Sequence, residues 1–331
     1  MNWESRYLPP DPTIWQGRVD IPDDSCFYQH IQPLNLLTQK LEKASALTFA
    51  IVGFKCDEGV ARDLGRTGAF EGPTAIRHRL AKLPVQNTEI ICYDAGNIIC
   101  TDHDLEASQQ ALADMVAMLL EHNIRPIIIG GGHELAWGHY QGISKVYPAT
   151  KRLGIISFDA HFDLNPLQPS HRGSATTSFF QIAEAHQAEK RHFDYNCIGI
   201  QHVGNIRQSF DIAKQYKVKL ILADEMHQGL QEKCIDFVDR VIDENDIVYM
   251  SISLDVFSPA FAPGVSTIQP LGLNPWHVIP IIRQAANSGK MISYDIAEHV
   301  PRYDIDHRTA KLAATLIYEI IHHHSKHPRI W

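Results

Sequence analysis

The chain has 331 residues, of which 44% are hydrophobic and 21% are charged, a composition that is typical of a globular protein and excludes a mainly disordered chain. Thirty Lys and Arg residues face 38 Asp and Glu residues, which gives a formal net charge of -8 without a basic cluster. We therefore expect a small-molecule substrate and no nucleic-acid partner.

No apolar run approaches the ~20 residues that span a bilayer, and the N-terminus lacks the apolar stretch of a signal peptide. We expect no membrane association and a cytoplasmic protein, whose six scattered cysteines are reduced packing residues.

Short apolar runs recur along the chain and predict eight β-strands. The runs are rich in Ile, Val, Leu, Phe and Tyr and are mostly continuous, which is the pattern of parallel strands that are covered on both faces. In chain order they span residues 48–53, 89–93, 126–130, 153–158, 196–201, 219–223, 247–253 and 290–294.

Helical patterns lie between these runs. Residues 104–122 and 305–324 repeat apolar side chains at three- and four-residue spacing, and a further helix is expected near residues 32–42. Alternating strands and helices without a flexible linker predict an α/β fold, with one three-layer α/β/α domain and a mostly parallel sheet of about eight strands. We place an N-terminal arm with the first helix at residues 1–45 and the main domain at residues 46–331.

Ionisable side chains follow four of the predicted strands, at the point where each strand ends. Because open parallel sheets bind ligands beyond the carboxyl ends of their strands, these positions are candidate site residues. They are His133 after three glycines, Asp159, His161 and Asp163 after the fourth strand, Asp255 after the seventh, and Asp295 and Glu298 after the last. If the chain stays extended after the fourth strand, Asp159, His161 and Asp163 point the same way.

This set of ligands predicts a metal centre. Imidazole and carboxylate ligands without thiolate suit Mn²⁺, and less selectively Zn²⁺, Co²⁺ or Ni²⁺. Two such ions about 3.5–4 Å apart can share a water and convert it into a hydroxide nucleophile near neutral pH. The alternative without a function is a capped strand end with polar surface residues. Without a cation, however, placing ionisable side chains beside an apolar strand has a high free-energy cost.

These motifs resemble those of the arginase and agmatinase superfamily of manganese amidino-hydrolases. The superfamily's Gly-Gly-x-His, Asp-Ala-His-x-Asp and Ser-x-Asp-x-Asp motifs are similar to the segments that end at His133, Asp163 and Asp255, and the second motif is matched in full. Further segments resemble the formimidoylglutamases within that superfamily, and together they cover nearly the whole chain. These segments are residues 15–20, 57–77, 130–140, 262–266, 295–302 and 304–310.

The resemblance implies an enzyme with an arginase-like fold and two Mn²⁺ ions. The implied ligands are His133 and Asp163 for one ion, His161 and Asp255 for the other, and Asp159 as the catalytic bridge between them. Glu298 would contact the amidine-like nitrogens of the substrate. The implied reaction is hydrolysis of N-formimidoyl-L-glutamate to L-glutamate and formamide, a step of histidine degradation. Members of the superfamily are generally oligomeric, so the resemblance also implies a homo-oligomer.

Two segments depart from the family pattern. Ser253 stands where the Ser-x-Asp-x-Asp motif has its second bridging aspartate. Two unit charges about 4 Å apart interact by roughly 4 kcal/mol at an effective dielectric constant of 20, before desolvation, so we expect the second ion to bind weakly. Ala175 stands where agmatinases carry a histidine, and Thr176 replaces a glycine. The alternatives are another hydrolase of the superfamily, agmatinase-like or guanidinobutyrase-like, or a catalytically silent homologue.

The residues that bind the two substrate carboxylates are not assigned by the sequence. Arg62, Arg66, His171 and Arg172 lie on loops that should face the strand ends, but each is interpreted as a solvated loop residue. Asp63 stands where a neutral amide is more usual in the family and is expected to alter the rim of the site near Arg62 and Arg66.

Overall fold

A computed structural model describes residues 3–167, 172–229 and 231–324, and in these residues it contains one sheet of ten strands. The strands are β1 Tyr7–Leu8, β2 Gln32–Pro33, β3 Thr48–Lys55, β4 Ile91–Ile99, β5 Arg125–Gly130, β6 Leu153–Phe158, β7 Asp194–Ile200, β8 Lys219–Leu222, β9 Ile247–Ser253 and β10 Met291–Ala297. The α-helices are α1 Phe27–His30, α2 Glu58–Arg62, α3 Gly72–Leu80, α4 Leu105–Glu121, α5 Leu135–Val146, α6 Ser178–Ala188, α7 Arg207–Gln215, α8 Ala223–His227, α9 Gln231–Glu244, α10 Pro275–Asn287 and α11 Arg308–His323.

The sheet is almost entirely parallel, which confirms the predicted fold class. Its strand order is β1-β4-β3-β5-β10-β9-β6-β7-β8, and β2 also pairs with β4. Among the described strands, only the β1–β4 pair is antiparallel. The predicted count of eight strands is too low, because β1 and β2 have two residues each and are too short to form an apolar run. The strands β5, β10, β9 and β6 are consecutive neighbours in the middle of the sheet. Their carboxyl ends therefore meet at one place on the sheet edge.

Two hydrophobic clusters fill the space on the two faces of the sheet. One contains buried side chains of α3, α9, α10 and α11, and the other contains those of α4, α5 and α6. The helix predicted at residues 104–122 is confirmed as α4, which begins where the side chain of Asp104 accepts a hydrogen bond from the backbone N–H of Ala107 at 3.0 Å. Helices on both faces bury nearly all residues of the central strands, as their continuous apolar sequences indicate.

The N-terminal arm covers the β4 edge of the sheet. β1 and β2 both pair with β4, and the indole N–H of Trp15 donates to Asp94 Oδ2 at 2.8 Å. Asp94 also accepts from the guanidinium of Arg77 at 2.9 Å, and both of these side chains are buried. The helix predicted near residues 32–42 is wrong. Gln32–Pro33 forms β2 instead, and the next backbone N–H, that of Leu34, donates to Asp94 O.

The last strand is longer than predicted at its carboxyl end. It extends through Ala297 rather than ending at Tyr294, so Asp295 lies inside the sheet and not after it. Glu298 does follow directly after the strand end. In the described part of the chain, no helix combines the length and apolarity that a bilayer crossing requires.

Candidate metal centre

Three of the four central strands, β5, β6 and β9, deliver the candidate ligands to one cluster. His133 follows the glycine turn after β5, Asp159, His161 and Asp163 follow β6, and Asp255 follows β9. Among the described residues, two groups of side chains have ligand atoms that lie within 4.8 Å of one another. We name them the His133 half, which contains His133, Asp159 and Asp163, and the His161 half, which contains Asp159, His161 and Asp255. Asp159 belongs to both halves.

The His133 half is closely packed and buried. His133 Nδ1 lies 2.9 Å from Asp159 Oδ2 and 2.8 Å from Asp163 Oδ2. This nitrogen nevertheless has no hydrogen bond of acceptable geometry, although it is buried. The side chain of His133 is only 2% exposed and contacts the ring of Phe179 edge-on. Three potential ligand atoms thus converge without satisfying one another, which is the arrangement that a cation requires.

The His161 half is looser and more accessible. His161 Nδ1 lies 3.2 Å from Asp255 Oδ2 and 3.4 Å from Asp159 Oδ1, and its side chain is 22% exposed. The hydroxyl of Ser253 donates to Asp255 Oδ1 at 2.7 Å. The Ser253 side chain therefore lies within the cluster and occupies one oxygen of Asp255.

The loop after β6 brings its three ligands together by a mechanism that the sequence did not predict. β6 ends at Phe158, and the following residues do not continue as an extended strand. Instead, the backbone N–H of His161 donates to Asp159 Oδ1 at 2.7 Å, and Asp163 adopts a left-handed backbone with φ of 49°. A non-glycine residue with this φ is strained, and such strain is concentrated at functional sites.

Glu298 closes the cluster from the end of β10. Its Oε1 accepts a hydrogen bond from the backbone N–H of His133 at 2.8 Å, and its own N–H donates to Gly131 O. Glu298 also has a left-handed backbone, with φ of 71°. Burial and the nearby carboxylates of Asp255 and Glu134 raise the pKa of Glu298 well above its usual value.

The charges of the cluster are strongly coupled. Burial favours neutral imidazoles, but the carboxylates of Asp159 and Asp163 raise the pKa of His133 well above its usual value, and those of Asp255 and Asp159 do the same for His161. Burial and repulsion from Asp159 raise the pKa of Asp163 to about 6. In the absence of another cation, protonated imidazoles therefore compensate the carboxylates. The cluster requires positive charge from some source.

A cavity of about 170 Å³ opens onto the cluster. Its walls include Val60, Asp63, Gly65, Ala175 and Thr176 besides the candidate ligands. None of the described residues that line it is Arg or Lys. The cavity is therefore an acidic pocket of a size that suits a small molecule.

The arginines considered as substrate clamps are engaged elsewhere. Arg62 forms ion pairs with Glu58 and Glu106, and Arg66 donates to the carbonyl oxygens of Val265 and Ser266. Arg172 is exposed and donates to a loop carbonyl, and His171 lies outside the described residues.

Asp63 is tied to the loop that departs from the family pattern. Its Oδ2 accepts a hydrogen bond from the backbone N–H of Thr176 at 3.0 Å, so this carboxylate and the unusual Thr176 face the same cavity.

Two residues that the sequence did not select, Ser251 and Gln269, contact the two histidines from behind. His133 Nε2 lies 2.8 Å from the hydroxyl of Ser251, which in turn donates to Asp295 Oδ1 at 2.6 Å. His161 Nε2 lies 2.9 Å from the side-chain amide of Gln269. A polar serine in the middle of the largely apolar β9 was the signal for the first contact. No local pattern marks Gln269, because it lies in a loop.

Comparison with known proteins assigns the chain to a family. Residues 47–323 match the model of the Arginase family. A formimidoylglutamase of Legionella pneumophila (strain Paris) is 41% identical over 96% of this chain and 98% of its own length. This chain belongs to the arginase family. Another relative of this arginase-family chain, a formimidoylglutamase of Clostridium tetani, is 39% identical over 95% of each chain. A solved structure of Trypanosoma cruzi formiminoglutamase with Mn²⁺ has the same fold, with a TM-score of 0.76, 23% identity and coverage of 89% of this chain and 99% of its own.

Proposed function

We propose that this arginase-family protein is a metal-dependent formimidoylglutamase that hydrolyses N-formimidoyl-L-glutamate to L-glutamate and formamide. The observation that carries the proposal is the convergence of five imidazole and carboxylate side chains, His133, Asp159, His161, Asp163 and Asp255, at the central strand ends. The names of relatives that are 41% and 39% identical over nearly the full length support this substrate.

The cluster fits two divalent cations. The buried His133 Nδ1 lies between the carboxylates of Asp159 and Asp163 and has no hydrogen bond. This is the position expected of a ligand atom. A donor set of nitrogen and oxygen without sulfur suits Mn²⁺. We assign His133 and Asp163 to one ion, His161 and Asp255 to the other, and Asp159 to both.

The protein's own residues hold and orient the substrate. A pair of divalent cations, when bound, supplies an acidified water and neutralises negative charge that develops during the reaction. Glu298, whose carboxylate is held by the N–H of His133, would bind the N–H groups of the formimidoyl unit. Hydrolysis of the bond between the formimidoyl carbon and the glutamate nitrogen yields formamide and the free amine of glutamate. The side chains of Val60 and Ala175 line the small cavity.

Ser253 makes the two halves unequal. A carboxylate at this position would add a negative charge close to both ions, whereas the Ser253 hydroxyl instead donates to Asp255. We therefore propose that the His133 half binds its ion more tightly than the His161 half.

A formamide-release assay tests the function. The purified protein is stripped of metal, reloaded with Mn²⁺ and offered formimidoylglutamate, arginine, agmatine or guanidinobutyrate, and the bound metal is quantified in the same samples. We expect formamide from formimidoylglutamate only in the reloaded sample. Hydrolysis of a guanidino compound in its place would reassign the substrate within the family.

Ser253 also favours a second candidate, a homologue that binds without turnover. This candidate predicts less than one equivalent of Mn²⁺ after saturation and no product from any of the four compounds. The metal content and the product measurement therefore separate the two candidates in one experiment.

We further propose a cytoplasmic homo-oligomer with an N-terminal arm at residues 1–45 and a main domain at residues 46–331. All six cysteines are free, which suits a reducing compartment. Sedimentation analysis of the purified protein gives the subunit number, and fractionation of the source cells gives the location.

A further inference from the structure

A row of polar side chains crosses the sheet behind the His133 half. The register pairs Asp295 of β10 with Ser251 of β9, and Ser251 with Ser157 of β6. All three side chains are buried, with no more than 1% of the residue exposed. Buried polar groups in a sheet of apolar strands need partners, so the contacts of this row are informative.

Asp295 is the fixed end of this row. Its carboxylate accepts hydrogen bonds from the hydroxyl of Ser251 at 2.6 Å and from His139 Nδ1 at 2.8 Å, and it also accepts one from the hydroxyl of Tyr249. His139 and Tyr249 are themselves buried and their rings are in contact. Since an ionised carboxylate can only accept, these contacts set the direction of each hydrogen bond.

The hydrogen bond from Ser251 to Asp295 determines which atom donates in the contact between Ser251 and His133. The hydroxyl of Ser251 has one proton, and it donates that proton to Asp295. The Ser251 oxygen can therefore only accept from His133 Nε2, which lies 2.8 Å away. The proton of a neutral His133 is then held on Nε2, and the lone pair of Nδ1 faces Asp159 and Asp163.

We propose that Ser251 and Asp295 are positioning residues that fix the tautomer and ring orientation of His133 for cation binding. This inference rests on the proposed function in one respect, because it takes Nδ1 of His133 to be the atom that meets a cation. Outer partners of this kind typically change metal affinity by about 10–100-fold when they are removed.

Ser157 provides a matched control in the same row. It lies directly beside Ser251 on the neighbouring strand and is equally buried, but its hydroxyl has no hydrogen-bond partner in the described part of the chain. Ser157→Ala therefore removes a buried hydroxyl of the same type without touching His133.

The experiment compares Mn²⁺ binding by calorimetry in the wild type, Ser251→Ala, Ser157→Ala and Ser251→Thr, with no substrate present. We expect Ser251→Ala to weaken the tighter Mn²⁺ by about 10–100-fold, Ser157→Ala to leave it unchanged, and Ser251→Thr to restore it by retaining the hydroxyl. Equal affinity in Ser251→Ala and the wild type, or equal losses in Ser251→Ala and Ser157→Ala, would overturn the proposal.

A second measurement does not depend on the folding of the variants. In the wild type loaded with diamagnetic Zn²⁺, nitrogen NMR should find the proton of His133 on Nε2 and protected from exchange by Ser251. A rapidly exchanging proton would contradict the proposal. If the wild type binds no metal at all, the proposed function fails. If it binds metal but Ser251→Ala binds equally well, only the positioning role fails.

Discussion

The two halves of the candidate metal centre share Asp159 but differ in their burial and in the residues behind their histidines. The His133 half is almost fully buried, and its histidine is backed by Ser251 and the buried carboxylate of Asp295. The His161 half is partly exposed, its histidine is backed by a neutral amide on a loop, and a hydroxyl stands where the family motif has a carboxylate. A residue within the sheet therefore backs the histidine of one half, and a loop residue backs the histidine of the other.

Removing the shared ligand should abolish Mn²⁺ binding in both halves, and with it the difference in their affinities. Asp159→Asn takes away the carboxylate that contacts both histidines, so we expect loss of both Mn²⁺ sites and of all Mn²⁺-dependent activity. Metal analysis and the formamide assay measure this. Asp194→Asn is a matched control, since Asp194 is equally buried but lies at the start of β7, bonded to Asn245. If Asp159→Asn kept one full equivalent of Mn²⁺, Asp159 would not be shared.

Adding a carboxylate should make the two halves more alike. In Ser253→Asp, the new charge gains roughly 4 kcal/mol of attraction for each unit of charge on an ion about 4 Å away, at an effective dielectric constant of about 20, and desolvation offsets much of this gain. We expect the weaker Mn²⁺ to bind about 10-fold more tightly or better in a calorimetric titration. Ser253→Asn adds similar volume without charge and should give no gain. A gain of equal size in both variants would show that charge is not the cause.

Removing the side-chain amide of Gln269 behind His161 should slightly increase the difference in Mn²⁺ affinity between the two halves. Gln269→Leu is expected to weaken only the weaker Mn²⁺, by roughly 10-fold, because a neutral loop amide restrains His161 less than a carboxylate-backed hydroxyl restrains His133. Gln201→Leu is the control: Gln201 is as buried as Gln269, but its side-chain amide has no partner in the described residues. Weakening of the tighter ion in Gln269→Leu would contradict the separation of the halves.

The pH dependence of stability should reverse when metal is bound. Both histidines have a raised pKa in the folded metal-free protein, so their contribution to stability is full below pH 6.5 and is lost as the pH rises through the folded values. The raised pKa of Asp163 acts in the same direction but at lower pH, because its contribution is lost between pH 3.8 and about 6. We expect the melting temperature to fall by a few degrees from pH 6.5 upward in EDTA, at roughly 2 °C per kcal/mol, and to rise with Mn²⁺. Parallel curves would rule out competition between protons and metal.

Continuous apolar strands were the most predictable part of the fold. The predicted bounds of β6 and β9 are those of the structure, because their burial on both faces is written into consecutive residues. β4 was predicted too short, since Asp94, Gly96 and Asn97 interrupt its apolar pattern. Arg77 hydrogen-bonds to all three of these residues from α3, and this compensation is not visible in the local sequence.

The candidate site could be predicted only where ligands follow strands. The sequence selected His133, Asp159, His161, Asp163 and Asp255, and the fold brings these five side chains together. Their metal-binding roles stay a prediction. Asp295 was assigned to the wrong place, because the end of β10 depends on pairing with β5 and β9. The contact of Gln269 with His161 joins residues that are 108 positions apart, so only the tertiary structure reveals it.

The pairing of β1 and β2 with β4 has a consequence for any shortened form of the chain. A fragment that began at residue 46 would leave the open backbone groups of β4 along one side of the sheet and Asp94 without the indole of Trp15. Exposed strand edges pair readily with other chains. Such a fragment is therefore expected to aggregate by edge-to-edge association even though its metal ligands are complete.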